Sequence, residues 1–262
     1  MNERFTARAY IDYVLSRQEL TVEDLGLAPV VVVSWNPRTV RSLADAVGAE
    51  NSQHWADIAG FPLYTGEVGG RRISFTGAPI GAPATVTLLE EMIACGARAF
   101  IGLGGAGSLQ PTAPAGTFLI PTSCLSEEGT SRHYVETMTD IGPDPQLAGL
   151  ISRSCQAERN KTLTGPLWTT DAPFRETVDK IETYRRQGIL GVDMETSAMY
   201  ALCKFRGVAV CNLLVVSDEL WDEWKPTFGQ PELREAVSRA ERAILRCLPE
   251  VCSSVERGES PA

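Results

Sequence analysis

The sequence predicts an α/β fold, and three observations carry the prediction. Apolar, often β-branched runs of strand length alternate with helix-patterned segments along the chain. No Pro/Gly-rich linker and no internal repeat interrupts that alternation. At 262 residues, with 44% hydrophobic and 22% charged side chains, the chain can fill one sizeable α/β core. The expected unit is a single domain over 1–262, its core spanning 28–248, with a disordered tail from Ser253.

The elements follow in order. The first 28 residues read as partly amphipathic helix, and Pro29 to Val33 as a buried strand because four valines run together. Thr39 to Val47 is helix-patterned. Leu63 to Val68 and Arg72 to Thr76 form a hairpin around Gly69-Gly70, and Gly77 to Pro83 is a turn-rich loop. A helix over Thr85 to Cys95 stops at Gly96. Ala99 to Leu103 is a strand, and the small-residue run Gly104 to Ser108 is the loop after it. Thr117 to Pro121 is a strand and 126–146 a polar loop. Gln146 to Arg159 is helical, Leu163 to Thr169 a strand, and Arg175 to Gln187 a charged helix. Ile189 to Met194 and Val208 to Val216 are strands, separated by a helix over Thr196 to Phe205. Pro231 to Leu248 is the last helix.

Composition removes several classes of function. A net charge of -9 argues against nucleic acid as a partner, since that binding needs a basic face. A small anion remains compatible, because a few local donors suffice to hold one. Seven cysteines with no C-x-x-C pair, and only two histidines, argue against a zinc site. The cysteines lie mostly in apolar runs and read as reduced core residues of a cytoplasmic protein. The polar start MNERFTARAY has no signal-peptide core, and no run approaches the roughly 18 apolar residues of a membrane span.

Three strand ends carry candidate chemistry, because α/β proteins bind ligands there. Successive N–H groups of Gly104 to Ser108 can form an anion-friendly nest, though such a run also serves as a plain tight turn. Gly191-Val192-Asp193-Met194-Glu195-Thr196-Ser197-Ala198 takes a strand into paired carboxylates and then a helix. A strand-end carboxylate can accept from two vicinal hydroxyls, as in ribose, or can cap the helix. Val215-Val216-Ser217-Asp218-Glu219 places an acid directly after an apolar strand, again either a cap or a functional acid.

These segments resemble those of the nucleoside phosphorylase superfamily. Gly188 to Glu195 resembles the family's V-E-M-E signature, and Val215 to Asp218 the V-S-D motif of its purine-specific members, at a matching separation. Ala97 to Gln110 is similar to the family's strand and glycine turn. The hairpin and Gly77 to Ala84 also fit. Glu128 to Tyr134 and Trp168 to Phe174 are similar to segments of the uridine phosphorylase-like branch.

The resemblance implies a three-layer α/β sandwich with a central mixed β-sheet and an enzyme that breaks a ribonucleoside's N-glycosidic bond. The implied reaction is phosphorolysis, with inorganic phosphate as co-substrate, no cofactor and no metal. Glu195 would grip the ribose hydroxyls with Met194 packed on the sugar. Asp218 would protonate the departing base, and Phe174 would offer it an aromatic face or serve the core. No Gln-x-Arg pair that would read uracil lies between Phe174 and Arg186, which favours a purine. Related enzymes are homo-oligomers, dimers or hexamers of dimers, whose sites are completed by a neighbour; His54, Trp55, His133 and the Arg71-Arg72 region are candidate contributors.

The chain departs from the family where phosphate is held. Gly102 replaces the strand arginine and Gly105 the hydroxyl residue of the following turn. The G-D-P-x-R loop becomes Ser34-Trp35-Asn36-Pro37-Arg38. Gly104, Gly105 and Arg38 therefore mark a phosphate or water site. The alternatives are a nucleoside hydrolase, and a non-catalytic nucleoside-binding protein that kept the fold.

Overall fold

The computed structural model describes residues 3–137 and 141–258. Ten strands join one mixed sheet. In chain order they are β1 (Val30–Ser34), β2 (Glu50–Asn51), β3 (Leu63–Val68), β4 (Arg71–Gly77), β5 (Ala99–Ser108), β6 (Phe118–Ser126), β7 (Thr162–Thr169), β8 (Gly191–Asp193), β9 (Ala209–Glu219) and β10 (Lys225–Pro226). The helices are α1 (Ala7–Gln18), α2 (Pro37–Ala46), α3 (Trp55–Ala59), α4 (Ala82–Ala94), α5 (Pro145–Ala157), α6 (Val178–Arg186), α7 (Thr196–Arg206) and α8 (Pro231–Glu256).

The sheet runs β10-β9-β6-β7-β8-β5-β1-β4-β3-β2, and β9 also pairs with β5. That extra pairing closes β5, β9, β6, β7 and β8 into a ring, so one half of the sheet is a barrel and the other an open extension. Parallel pairs (β1 with β4 and β5, β5 with β9) sit beside antiparallel ones (β5 with β8, β6 with β9). Helices cover both faces. Val30 and Val32 of β1 pack with α2, α5 and α8, whereas Val31 and Val33 pack with α1, α4 and α7. This is why the valine run is unbroken: a strand covered on both faces needs apolar residues at every position.

Local chemistry sets the helix starts. Asn36 accepts from the Arg38 N–H, with Pro37 in the first turn of α2. Asp144 accepts from the Leu147 N–H at 2.7 Å ahead of Pro145 in α5.

Four expectations change. The strand expected to end at Leu103 continues to Ser108, so the glycine run is strand rather than loop. Each residue finds a partner across β9, Gly104 opposite Leu214 and Gly105 opposite Val215. β9 extends to Glu219, which puts Asp218 on the strand rather than after it. The last helix runs through Pro249 to Glu256, so residues 253–256 of the expected disordered tail are helical, and Val251 and Cys252 are buried against the sheet. Residues 259–262 lie outside the described residues. The expected 126–146 loop contains the end of β6, a 3₁₀ turn over Ser131–His133 and the first residues of α5, while 138–140 lie outside the described residues.

Candidate active site

A cavity of about 710 Å³ opens where β5, β8 and β9 end together. Its floor is Gly105 to Gly107 of β5 with Leu214, Ser217 and Asp218 of β9. One wall is the β8–α7 junction, Val192 to Glu195. Pro173, Phe174 and Glu176 face it from the loop before α6, and Trp35, Ile80, Trp224 and Phe228 form an apolar surround.

The two carboxylates of the β8–α7 junction do different work. Asp193 accepts from Thr169 Oγ1 at 2.7 Å, from the Thr196 N–H at 3.0 Å and from Thr196 Oγ1 at 2.5 Å. It therefore ties the start of α7 to β7 and is the helix-capping member of the pair. Glu195 turns the other way. Its Oε1 accepts from the Gly81 N–H at 2.6 Å, just before α4 begins, and it lines the cavity. Burial and the neighbouring Asp193 charge hold the Glu195 carboxyl above the usual carboxylate range, against the pull of the Gly81 hydrogen bond.

An irregularity in β9 brings two adjacent residues, Ser217 and Asp218, to the cavity. The β5–β9 register shifts between Ala106 and Gly107, which pair with Val216 and Asp218, leaving Ser217 as an extra residue. In a regular strand adjacent side chains face opposite ways; at this bulge both Ser217 and Asp218 line the cavity. Ser217 Oγ donates to Asp218 Oδ1 at 2.8 Å, and Trp224 Nε1 donates to Oδ2 at 2.9 Å, which fixes the acid to the segment beyond the strand. Glu176 shares this end of the cavity. Burial, and then the charge of Asp218, push its carboxyl up to about 7.

The expected site residues divide. Glu195, Met194, Asp218, Phe174 and Gly105 meet in one cavity. Phe174 is 99% exposed, so it belongs to the rim and not the core. Gly104 does not line the cavity: the Trp35 ring lies over it, at 3.0 Å from where a Cβ would stand. Its smallness serves packing rather than anion binding. Arg38 is exposed at the start of α2, outside the cavity lining. His133 is exposed and borders a separate groove with Tyr134 and Arg206, and His54 precedes α3. Neither touches the cavity of its own chain.

Sequence reasoning carries Trp35 and Ser217 only as parts of their motifs, and it passes over Ile80, Glu176, Trp224, Phe228 and the Gly81 N–H as site groups. The aromatic series Trp221, Trp224 and Phe228 directly after the third motif was the available signal.

An α/β barrel-and-sheet protein whose strand ends gather carboxylates and aromatic rings around one cavity is a small-molecule site, not a surface for polymers. The family is settled by comparison: the model of the phosphorylase superfamily matches residues 29–249, and the chain belongs to that superfamily. Among its relatives is a guanosine phosphorylase of Halorubrum lacusprofundi, 24% identical over 232 residues, covering 86% of this chain and 93% of the relative. Another is a DeoD-type purine nucleoside phosphorylase of Clostridium novyi, 25% identical over 198 residues, covering 74% and 84%. The fold matches the crystal structure of purine nucleoside phosphorylase from Toxoplasma gondii in complex with immucillin-H. The TM-score is 0.80 at 21% identity, covering 90% of this chain and 95% of that one. Among the described residues, no helix is long and apolar enough to cross a membrane.

Proposed function

We propose that the protein cleaves the N-glycosidic bond of a purine ribonucleoside by phosphorolysis, giving the free base and ribose 1-phosphate without a cofactor. The observation that carries this reading is the convergence of Glu195 and Asp218, from two separate motifs, on one cavity. The names of the relatives, guanosine and purine nucleoside phosphorylases, support the same reaction.

In this reading Glu195 accepts from the two ribose hydroxyls, and the Gly81 N–H holds its carboxylate in place. Met194 packs on the sugar. As the C1′–N bond breaks, positive charge builds on the sugar and negative charge on the base. Asp218 delivers the proton that makes the purine a viable leaving group. Glu176 accepts from N–H donors on the base edge, which suits a base with donors there, and Phe174 covers its face.

The protein works as a homo-oligomer, a dimer or a hexamer. Phe174, Val178, Ile80, Trp224 and Phe228 are each at least 60% exposed, an apolar rim that a neighbour would cover. Light scattering that gives a monomer at micromolar concentration would refute this. The seven cysteines are all free and buried, which fits a reducing compartment, the cytoplasm.

The test is a panel of purine and pyrimidine ribonucleosides incubated with phosphate and read by chromatography. Release of purine with ribose 1-phosphate is expected. Binding of purine nucleosides without release of any base would replace this reading with that of a binding protein.

A further inference from the structure

We propose that Glu127 is a positioning residue for base recognition: it holds α6, and with it the wall made by Phe174 and Glu176, in place against the cavity. The inference rests on the ribosyl-cleavage reading above and deepens it at the base end of the site.

The wall has little burial of its own. The chain leaves β7 at Thr169, makes a 3₁₀ turn over Pro173–Arg175 and enters α6, where a single side chain, Ile181, is buried. Phe174 and Val178 are exposed. A segment with so few apolar contacts takes its position from its polar ties.

Those ties converge on the turn after β6, residues 127–129. Glu127 accepts from Trp168 Nε1 of β7 at 3.0 Å, and from Lys180 Nζ at 2.8 Å and Tyr184 OH at 2.5 Å on α6. Tyr184 also sets its ring edge-on to Trp168, with centroids 5.0 Å apart. Lys180 lies four residues beyond Glu176, about one helical turn, so the tie acts close to the wall. At the wall's other end the Gly129 N–H donates to Asp171 Oδ2 at 3.0 Å, and the Thr170 N–H to the Asp193 carbonyl at 2.9 Å.

The turn is itself fixed from within. Buried Glu128 accepts from Ser126 Oγ at 2.6 Å, from the N–H groups of Thr130 and Ser131, and from Ser197 Oγ at 2.9 Å in the first turn of α7. Glu195 stands at the start of the same helix. The base wall and the ribose ligand are therefore referred to one framework.

The device needs acceptor geometry more than charge. The Lys180 side chain is 42% exposed, where an ion pair contributes little. A glutamine keeps the contacts, its oxygen accepting from Lys180 and Trp168 and its NH₂ donating to the Tyr184 oxygen. Alanine keeps none of them.

The experiment compares the parent with Glu127→Ala, Glu127→Gln, Glu176→Ala and the double variant Glu127→Ala/Glu176→Ala. The substrates, with phosphate present, are guanosine and purine riboside, whose base edge carries no N–H donor; where purine riboside is not cleaved, its inhibition constant serves in place of KM. With guanosine, Glu127→Ala should raise KM about ten- to a hundredfold, the worth of one hydrogen bond to a charged acceptor, and leave kcat nearly unchanged. With purine riboside the rise should be below about threefold, and so should the further loss when Glu127→Ala is added to Glu176→Ala, because the two act through one contact. Glu127→Gln should behave as the parent on both. Equal rises on the two nucleosides, additive losses with Glu176→Ala, or a Glu127→Gln as impaired as Glu127→Ala each overturn the inference and leave the ribosyl-cleavage reading intact. If Glu127→Ala does not fold, Tyr184→Phe, which removes one donor and keeps the ring on Trp168, should raise KM for guanosine about two- to tenfold, and an unchanged KM overturns the inference. A parent that releases base from neither nucleoside overturns both.

Discussion

Replacing Glu195 by Gln keeps the side chain's shape and one acceptor oxygen while removing its charge. If the carboxylate accepts from both ribose hydroxyls, the amide retains one neutral bond and loses the other, because its NH₂ cannot accept. Charge-assisted hydrogen bonds contribute about 1.5–3 kcal/mol and neutral ones roughly 1. The loss of about 2–5 kcal/mol in the transition state corresponds to a fall of roughly 30- to 5000-fold in kcat/KM. Stability should move the other way or not at all. The parent buries Glu195 against the Asp193 charge, so its raised folded pKa means that stability is lost as pH rises through that value. The amide cannot ionise and escapes this, and its oxygen still serves the Gly81 N–H. Steady-state kinetics on a purine nucleoside across pH, with thermal melts on the same samples, measure both. The parent's kcat/KM should climb as Glu195 ionises, and that limb should be missing in Glu195→Gln. A loss below about threefold, small against the one charge-assisted bond removed, would refute the ribose assignment. So would a variant that simply melts earlier at every pH.

Asp218→Asn should lower turnover of a purine nucleoside by about 10²- to 10⁴-fold, the worth of a positioned acid, while sparing a substrate whose leaving group needs no proton. Equal loss on both substrates removes the acid role. Glu176→Gln should gain stability over the parent as pH rises from 4.5 to about 7, because burial and Asp218 raise its folded pKa and ionisation there disfavours the folded state. Melts of both proteins at pH 4 and pH 8 read the difference, and curves that do not diverge contradict the placement. Gly102→Ala should destabilise by about 1–3 kcal/mol, as overpacking does, because the new methyl group meets the bonded Asn212 side chain. A denaturant titration with an unchanged midpoint would show that Asn212 yields freely.

Much of this was legible in the sequence because it is local. The valine run of β1, the helix starts at Asn36 and Asp144, and the carboxylates at the ends of β8 and β9 all declare themselves within a few residues. What escaped depends on partners far along the chain. The glycine run looked like a turn because small residues favour one, yet β9 supplies a strand partner for each of them. Which carboxylate caps and which serves the cavity was decided by a Gly81 N–H 114 residues away from Glu195. Trp35 read as part of a degraded loop, and only its position over Gly104 shows that the space was refilled with indole. The end of α8 was misjudged because its helix is held by packing of Val251 and Cys252 on the sheet, a tertiary effect that outweighs the local signal.

The extra residue at Ser217 adds a hydroxyl to the site without moving the acid beside it. Ahead of it the strand keeps one alternation, with Leu213 and Val215 toward one helical layer and Leu214 and Val216 toward the small barrel cluster. Removing Ser217 would restore continuous pairing with β5 and leave Asp218 opposite Gly107, its present partner. What would go is the hydroxyl that donates to Asp218 Oδ1 and the carbonyl that accepts from Thr227. When distant relatives are aligned here, a one-residue gap ahead of a matched aspartate marks a lost bulge and not a displaced acid, and strand register is the safer guide to which of them use the same chemistry.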